Sequence, residues 1–222
     1  MIECKAINKY YGQLHVLKDV SFTVEKGEIV SIVGASGAGK STLLQIMGTL
    51  LVPDSGKVFI NGTDLFSLGG DKLSAFRNRE IGFVFQFHHL LPEFTAIENV
   101  MMPALIARSS GAVSDSMNSI RERAMMLISD MGLAGRATHK PQELSGGEQQ
   151  RIAIARAIMN NPAVLFADEP SGNLDSKTKE EIHRLFFHLR DTYGQTIVIV
   201  THDNSLAQMC DRSLEMRDGT FI

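Results

Sequence analysis

The residues best suited to chemistry are Gly34-Ala35-Ser36-Gly37-Ala38-Gly39-Lys40-Ser41, which have Gly-x4-Gly-Lys-Ser spacing. The apolar run Ile29 to Val33 precedes them and Thr42-Leu43-Leu44-Gln45-Ile46-Met47 follows. That order reads as strand, glycine-rich loop and helix. Glycines let a backbone turn tightly and approach a ligand, so that successive N–H groups point inward at phosphate oxygens. A helix beginning near Lys40 adds its unpaired amides and the positive end of its dipole. Gly34 through Thr42 would therefore hold the phosphates of a nucleoside triphosphate such as ATP. Lys40 would reach the outer phosphates, and the Ser41 hydroxyl would hold Mg²⁺.

A second helix start carries the same kind of device. Leu144-Ser145-Gly146-Gly147-Glu148-Gln149-Gln150-Arg151 places Ser145 and Glu148 at capping-box spacing. The helix is expected to continue through Ile152, Ile154, Ala155 and Ile158 as far as Asn161-Pro162. Two glycines at a helix N-terminus make another anion site. One triphosphate needs one such loop, so two copies facing head to tail, each lending its second device to the other's nucleotide, is the economical reading.

These residues need an α/β framework to position them. Ile2 to Lys9 and Val16 to Val24 read as early β-strands, the latter with Val16, Val20, Phe22 and Val24 on one face. Lys57-Val58-Phe59-Ile60 enters a tight turn at Asn61-Gly62. Ile81 to Phe85, Val164 to Ala167 and Thr196 to Val200 are continuous apolar runs. Such strands are buried on both faces, as in a parallel sheet between helices. The segment from Phe87 to Asn160 carries mostly helical signals. Within it, Ser114 to Met131 is expected to present Met117, Ile120, Ala124, Leu127, Ile128 and Met131 on one face, with Gly132 as the stop. Met125, Met126 and Met131 read as core filler, and Ser109-Ser110-Gly111-Ala112 as an exposed loop. A further helix spans Lys177 to Arg190, with Ile182, Leu185, Phe186 and Leu189 inward.

The chain has 222 residues, 44% apolar and 21% charged, an ordinary globular composition with room for a sizeable core. A formal charge of −3 supplies no basic field for holding nucleic acid. No apolar run approaches the ~20 residues of a membrane span, and the opening residues are not expected to form a signal peptide. Service to a membrane would require a partner. Cys4 and Cys210 lack any metal spacing and read as small packed thiols suited to a reducing compartment.

Taken together, Gly34–Ser41 and Leu144–Glu148 resemble the ATPase subunits of ABC transporters, and the resemblance spans essentially the whole chain in order. It implies an α/β fold: a RecA-like parallel-sheet core, an N-terminal antiparallel β subdomain and an inserted helical subdomain. Residues 1–86 and 161–222 would form the first two and 87–160 the third, within one ABC ATPase domain. It also implies site residues. Tyr11, before Gly12, would stack on adenine, although the adjacent Tyr10 could do so instead. Gln86 would touch Mg²⁺ and the membrane partner, and Asp168 would associate with Mg²⁺. Glu169 would be the general base, and His202 would sense the γ-phosphate. Ser171-Gly172-Asn173-Leu174-Asp175 would cross to the opposite subunit, so Ser145, Gly146, Gly147, Glu148 and Asp175 would act in trans. Physically, Asp168 and Glu169 end a buried strand, at the edge of the sheet where ligands bind in such folds, and an Asp-Glu pair there suits metal association and base catalysis.

Gln86 to Val100 and the ending Leu214 to Gly219 resemble the lipoprotein-releasing group of these ATPases most closely. Asp168-Glu-Pro-Ser-Gly-Asn-Leu-Asp175 is similar to a pattern that this group shares with MacB-type exporters and FtsE-type division ATPases, with Ser171 where threonine is more usual. A short Tyr11–Val16 segment is the other departure. The resemblance implies a homodimer beneath LolC/LolE-like permease subunits, peripheral on the cytoplasmic face of a bacterial inner membrane. A groove beside Gln86, built with parts of Phe87 to Ala107, would take a short partner helix. A soluble ABC ATPase of DNA repair or translation would more usually carry a second cassette, a coiled coil or basic segments. A small-molecule kinase would leave Leu144–Glu148 and His202 unexplained.

Overall fold

A computed structural model describes residues 1–111 and 114–222. Two sheets organise them. The larger has six strands, and five of them run parallel: β3 (Ile29–Val33), β6 (Ile81–Phe85), β7 (Val164–Asp168), β8 (Thr196–Val200) and β9 (Arg212–Arg217). The short β10 (Thr220–Phe221) closes one edge antiparallel to β9, giving the order β10-β9-β3-β8-β7-β6. The apolar runs Val164 to Ala167 and Thr196 to Val200 are buried throughout, as strands covered on both faces must be.

The smaller sheet is antiparallel, in the order β2-β1-β4-β5. Its members are β1 (Ile2–Tyr11), β2 (Leu14–Val24), β4 (Ser55–Ile60) and β5 (Thr63–Asp64). Asn61 and Gly62 both have positive φ, +50° and +77°, as the two-residue β4–β5 hairpin requires. The burial pattern of β2 departs from the alternation expected of Val16, Val20, Phe22 and Val24. The β1–β2 register shifts between the Ile7–Val20 and Lys9–Leu17 pairs, and Asp19 turns to φ +49°. The irregularity re-aims the side chains: Leu17, Val20 and Val24 are buried, while Val16 and Phe22 are only partly covered.

Seven α-helices are described: α1 (Lys40–Met47), α2 (Gly70–Glu80), α3 (Ala96–Ser109), α4 (Met117–Asp130), α5 (Gly146–Ala157), α6 (Ser176–Tyr193) and α7 (Asn204–Met209). One hydrophobic core joins α1 to one face of the large sheet and to the antiparallel sheet. The other joins α3, α4, α5 and α6 to the opposite face, through Leu165, Ala167, Ile197 and Ile199. In α4, Ile120, Ala124, Leu127 and Ile128 are buried as expected, followed by Met131. Met117 and Met126 are exposed instead, and Met125 is half-buried. The helix begins only at Met117, capped by Ser116, so Met117 lies in the frayed first turn, and Met126 falls on the outer face. Ser109, Ser110 and Gly111 are exposed as expected, with Ser109 closing α3, and Ala112 lies outside the described residues.

The backbones of β6 and α5 approach closely at Gly82. A Cβ there would stand 2.5 Å from the Ala157 carbonyl oxygen and 2.9 Å from a Leu165 methyl. Gly82→Ala is expected to destabilise the fold by about 1–3 kcal/mol through overpacking, lowering Tm by about 2–4 °C per kcal/mol. An unchanged urea midpoint would contradict this contact.

Candidate active site

The cleft lies where β3, β6, β7 and β8 end, at the carboxyl edge of the parallel sheet. It encloses about 520 Å³ and is lined by Tyr11, Val16, Gly34, Ser36, Gly37, Gly39, Lys40, Ser41, Thr42, Gln86, Glu169 and His202. Its floor is the loop leaving β3. Gly34, Gly37 and Gly39 have φ of +146°, +81° and +106°, a region that residues bearing a Cβ rarely adopt. A Cβ on Gly34 would lie 2.1 Å from the Met216 carbonyl oxygen. The loop is thus seated directly on β9.

The α1 helix starts at Gly39 with no side-chain cap. Its first amides are left for a ligand. The Lys40 ammonium folds over the loop and donates to the carbonyls of Gly34 (2.8 Å) and Ala35 (2.9 Å). Two of its three donors are used, and one remains for the cleft. Ala38 is buried, and its carbonyl accepts from Gly219 N–H at 3.1 Å, tying the loop to the β9–β10 turn. Ala38 therefore shapes the loop from behind, and the exposed Ala35 does not line the cleft but gives its carbonyl to Lys40.

The Ser41 hydroxyl donates to Asp168 at 3.0 Å, joining the start of α1 to the end of β7. Burial pushes the Asp168 carboxyl above its ordinary range; the Ser41 bond opposes this and the neighbouring Glu169 charge reinforces it. Glu169 stands in left-handed backbone at φ +47°. Its carboxylate lies 2.8 Å from His202 Nδ1 and accepts from the His202 amide at 3.3 Å. Gln86, at the end of β6, donates to the Asn173 side chain at 3.0 Å. The structure thus brings Lys40, Ser41, Gln86, Asp168, Glu169 and His202 together.

The β1–β2 hairpin forms the mouth of the cleft. Successive side chains on a strand face opposite ways, and this separates the two tyrosines. Tyr11 lines the cleft, while Tyr10 stacks on His15 at 4.0 Å and 10° between ring planes. Val16 also reaches the cleft. Its role was hidden in sequence, because alternation placed it in the core.

Ser145, Gly146, Gly147, Glu148 and Asp175 do not line this cleft. Ser145 caps α5 in a complete capping box with Glu148, and Arg136 pairs with Glu148 at 3.0 Å. Asp175 caps α6 through the Lys177 and Thr178 amides and the Thr178 hydroxyl. The two segments touch each other: a Cβ on Gly147 would lie 2.3 Å from a Thr178 methyl.

The chain from Gln86 to Thr95 is fixed by side chains of α3 and α5. Arg156 donates to the carbonyls of His89 (2.7 Å) and His88 (2.9 Å), and the fully buried Gln150 to that of Phe85 (3.4 Å). Asn99, also fully buried, accepts from Leu91 N–H and donates to the carbonyls of Leu91, Phe94 and Thr95. Beside this segment runs a groove of about 450 Å³. Met102, Pro103 and Ile106 of α3 form one wall, within the stretch expected from sequence. Ser74, Arg77 and Asn78 of α2, with Phe83 and Phe85 of β6, form the other, which was not foreseen.

The family model described as ABC transporter matches residues 17–172. The chain belongs to the ABC transporter family. Within it the chain is an ATP-binding cassette whose enzymatic activity is ATP hydrolysis. It is 60% identical to the lipoprotein-releasing system ATP-binding protein LolD of Bacteroides thetaiotaomicron, over 100% of this chain and 99% of that one. It is 58% identical to the LolD protein of Porphyromonas gingivalis, again over 100% and 99%. Among solved structures, the dimeric bacterial ABC transporter cassette MJ0796 is similar with TM-score 0.90 at 42% identity, over 100% of this chain and 96% of that one. A dimeric post-hydrolysis state of MJ0796 bound to ADP and Pi matches with TM-score 0.89 at 41% identity over the same shares.

Asn99→Ala would strip the Gln86–Thr95 segment of its buried amide partner. A loss of about 1–3 kcal/mol is expected from the polar groups left unpaired. Hydrogen exchange should rise selectively at Leu91, and protection there equal to wild type would rule the role out.

Proposed function

We propose that this cassette powers the release of lipoproteins from the inner membrane, working as a homodimer beneath LolC/LolE-like permease subunits at the cytoplasmic face. The observation that carries the reading is full-length similarity to LolD proteins, in a chain whose Lys40, Gln86, Glu169 and His202 line one cleft. Among the described residues no helix is long and apolar enough to cross a membrane, so coupling would run through a partner. The groove between α2 and α3 offers a largely apolar seat for a short helix from the permease, with Phe85, the residue before Gln86, in its lining.

In the proposed reaction, Tyr11 and Val16 sandwich the adenine, and the loop from Gly34 to Thr42 wraps the phosphates. Lys40 offers its remaining donor to the outer phosphates. Ser41, Asp168 and Gln86 suit Mg²⁺: a hydroxyl, one carboxylate and an amide oxygen are hard oxygen donors. Among the described residues there is no cluster of three or more His, Cys, Asp or Glu that could cage a metal alone. Phosphate and water oxygens would complete the shell, and the ion would neutralise charge on the phosphates. Glu169, oriented by His202, polarises the attacking water, and His202 approaches the γ-phosphate from the same edge. Ser145, Gly146, Gly147, Glu148 and Asp175 of a second copy close the cleft from the other side. That the similar MJ0796 cassettes are dimeric supports the pairing of two copies.

Two outcomes test this reading. Glu169→Gln is expected to bind ATP normally while hydrolysis falls by about 10²–10⁴-fold, as loss of a general base predicts; a rate near wild type would remove Glu169 from that role. Co-purification from solubilised membranes should bring down a permease subunit, and added lipoprotein should change the ATPase rate of the complex. A permease whose ATPase ignores lipoprotein would move the chain to an efflux or cell-division role.

A further inference from the structure

Glu169 adopts a left-handed backbone, an unfavourable conformation for a residue with a Cβ that persists only where its surroundings enforce it. Its N–H donates to the Val200 carbonyl at 2.9 Å, and its own carbonyl accepts from Gly172 N–H at 3.1 Å. Between Glu169 and Gly172 lies Ser171, only 3% exposed, whose hydroxyl is 2.9 Å from Nε2 of His183. His183 is itself 3% exposed and sits on α6 among Ile182, Phe186 and Leu189, all fully buried. Other ties of this loop, from Gln86 to Asn173 and from Asp175 to the start of α6, are made at the surface. Among the described residues, the Ser171–His183 bond is the side-chain hydrogen bond of this loop that runs down into the core, where the partly buried Leu174 also packs.

We propose that His183 is a positioning residue for ATP hydrolysis: by holding the Ser171 hydroxyl it fixes the turn that keeps the Glu169 carboxylate aimed into the cleft. The proposal rests on Glu169 as the base. His183 touches neither nucleotide nor water and acts only through the turn. Burial lowers its pKa, which favours the neutral ring whose Nε2 can pair with a hydroxyl. The two buried polar groups satisfy each other, and the pairing gives the hydroxyl one fixed direction. A serine hydroxyl rotates freely, and a ring locked in the core supplies the direction it lacks.

The test compares Ser171→Ala, His183→Phe, the double variant and Ser171→Thr in the full chain, measuring kcat, KM for ATP and Tm, with Glu169→Gln alongside. Small misplacements of a catalytic group cost up to about 100-fold. Ser171→Ala and His183→Phe are each expected to lower kcat about 10- to 100-fold, with KM within about twofold of wild type. The double variant should be no slower than the slower single variant, and Ser171→Thr, which keeps the hydroxyl, should retain most of the rate. Wild-type kcat in Ser171→Ala, or losses that multiply in the double variant, would overturn the proposal. So would a fall in kcat that merely follows a lowered Tm in Ser171→Ala, which removes a single oxygen and is the variant least able to unfold the protein. If Glu169→Gln is slow while Ser171→Ala is not, only the role of His183 falls; if Glu169→Gln hydrolyses ATP normally, the base assignment itself falls.

Discussion

A helix whose first amides meet no side chain is incomplete until something anionic arrives, and α1 is built around that deficit. The contrast within the chain is direct. Thr95, Ser116, Ser145, Asp175 and Asp203 cap α3, α4, α5, α6 and α7 with their own oxygens, whereas α1 at Gly39 and α2 at Gly69 have no side-chain cap, and of these two open ends it is α1 that lines the cleft. Several neighbouring elements hold that open end in place. β9 presses on Gly34, the Asp218-Gly219 turn holds Ala38, and the bulged β2 packs Leu17 behind Gly39. A Cβ at Gly39 would come within 2.9 Å of Leu17, so even the core side chains of the small sheet enforce the loop.

Most of the site was legible because its chemistry depends on contiguous residues. A phosphate loop needs its glycines, lysine and serine at fixed offsets, and Asp168-Glu169 needs only a buried strand just before it. The parts that were not legible depend on long-range packing. Val16 reaches the cleft only because the β1–β2 register shifts. Arg156, Gln150 and Asn99 take their meaning from which carbonyls lie opposite them, which no local pattern encodes. The polar α2 supplies one wall of the groove, and its sequence carries no apolar stripe to announce it. Met117 and Met126 were misplaced because a helical face extends only as far as the helix and its neighbours do.

Strain and rigidity are distributed unevenly around the cleft. Glu169 and His89 are both in left-handed backbone, each at a cost of about 1–3 kcal/mol. Each is clamped from a neighbouring element, His89 through the Arg156 bond to its carbonyl and Glu169 through Val200, Gly172 and His202. The clamps on the Gln86 segment come from Asn99 of α3 and from Arg156 of α5, the helix that also starts at Ser145 and Gly146. In the proposed function, the groove and the second phosphate device are therefore opposite ends of one rod of 12 residues, about 18 Å long.

The two glycine-bearing helix starts differ in a way that sets an order of events. At α5 the Ser145 hydroxyl accepts from the Glu148 amide, the Glu148 carboxylate accepts from the Ser145 amide, and Arg136 pairs with Glu148. That end is partly satisfied by its own side chains, with the Gly146 and Gly147 amides left over, while α1 has no side-chain cap at all. A free nucleotide meeting one copy of this chain is thus drawn to α1 and has little reason to settle at α5. In the proposed function, a triphosphate seated at α1 of one copy would present its far side to the remaining Gly146 and Gly147 amides of a second. On that reading loading would precede pairing, an order favoured by how each helix start is capped within its own chain.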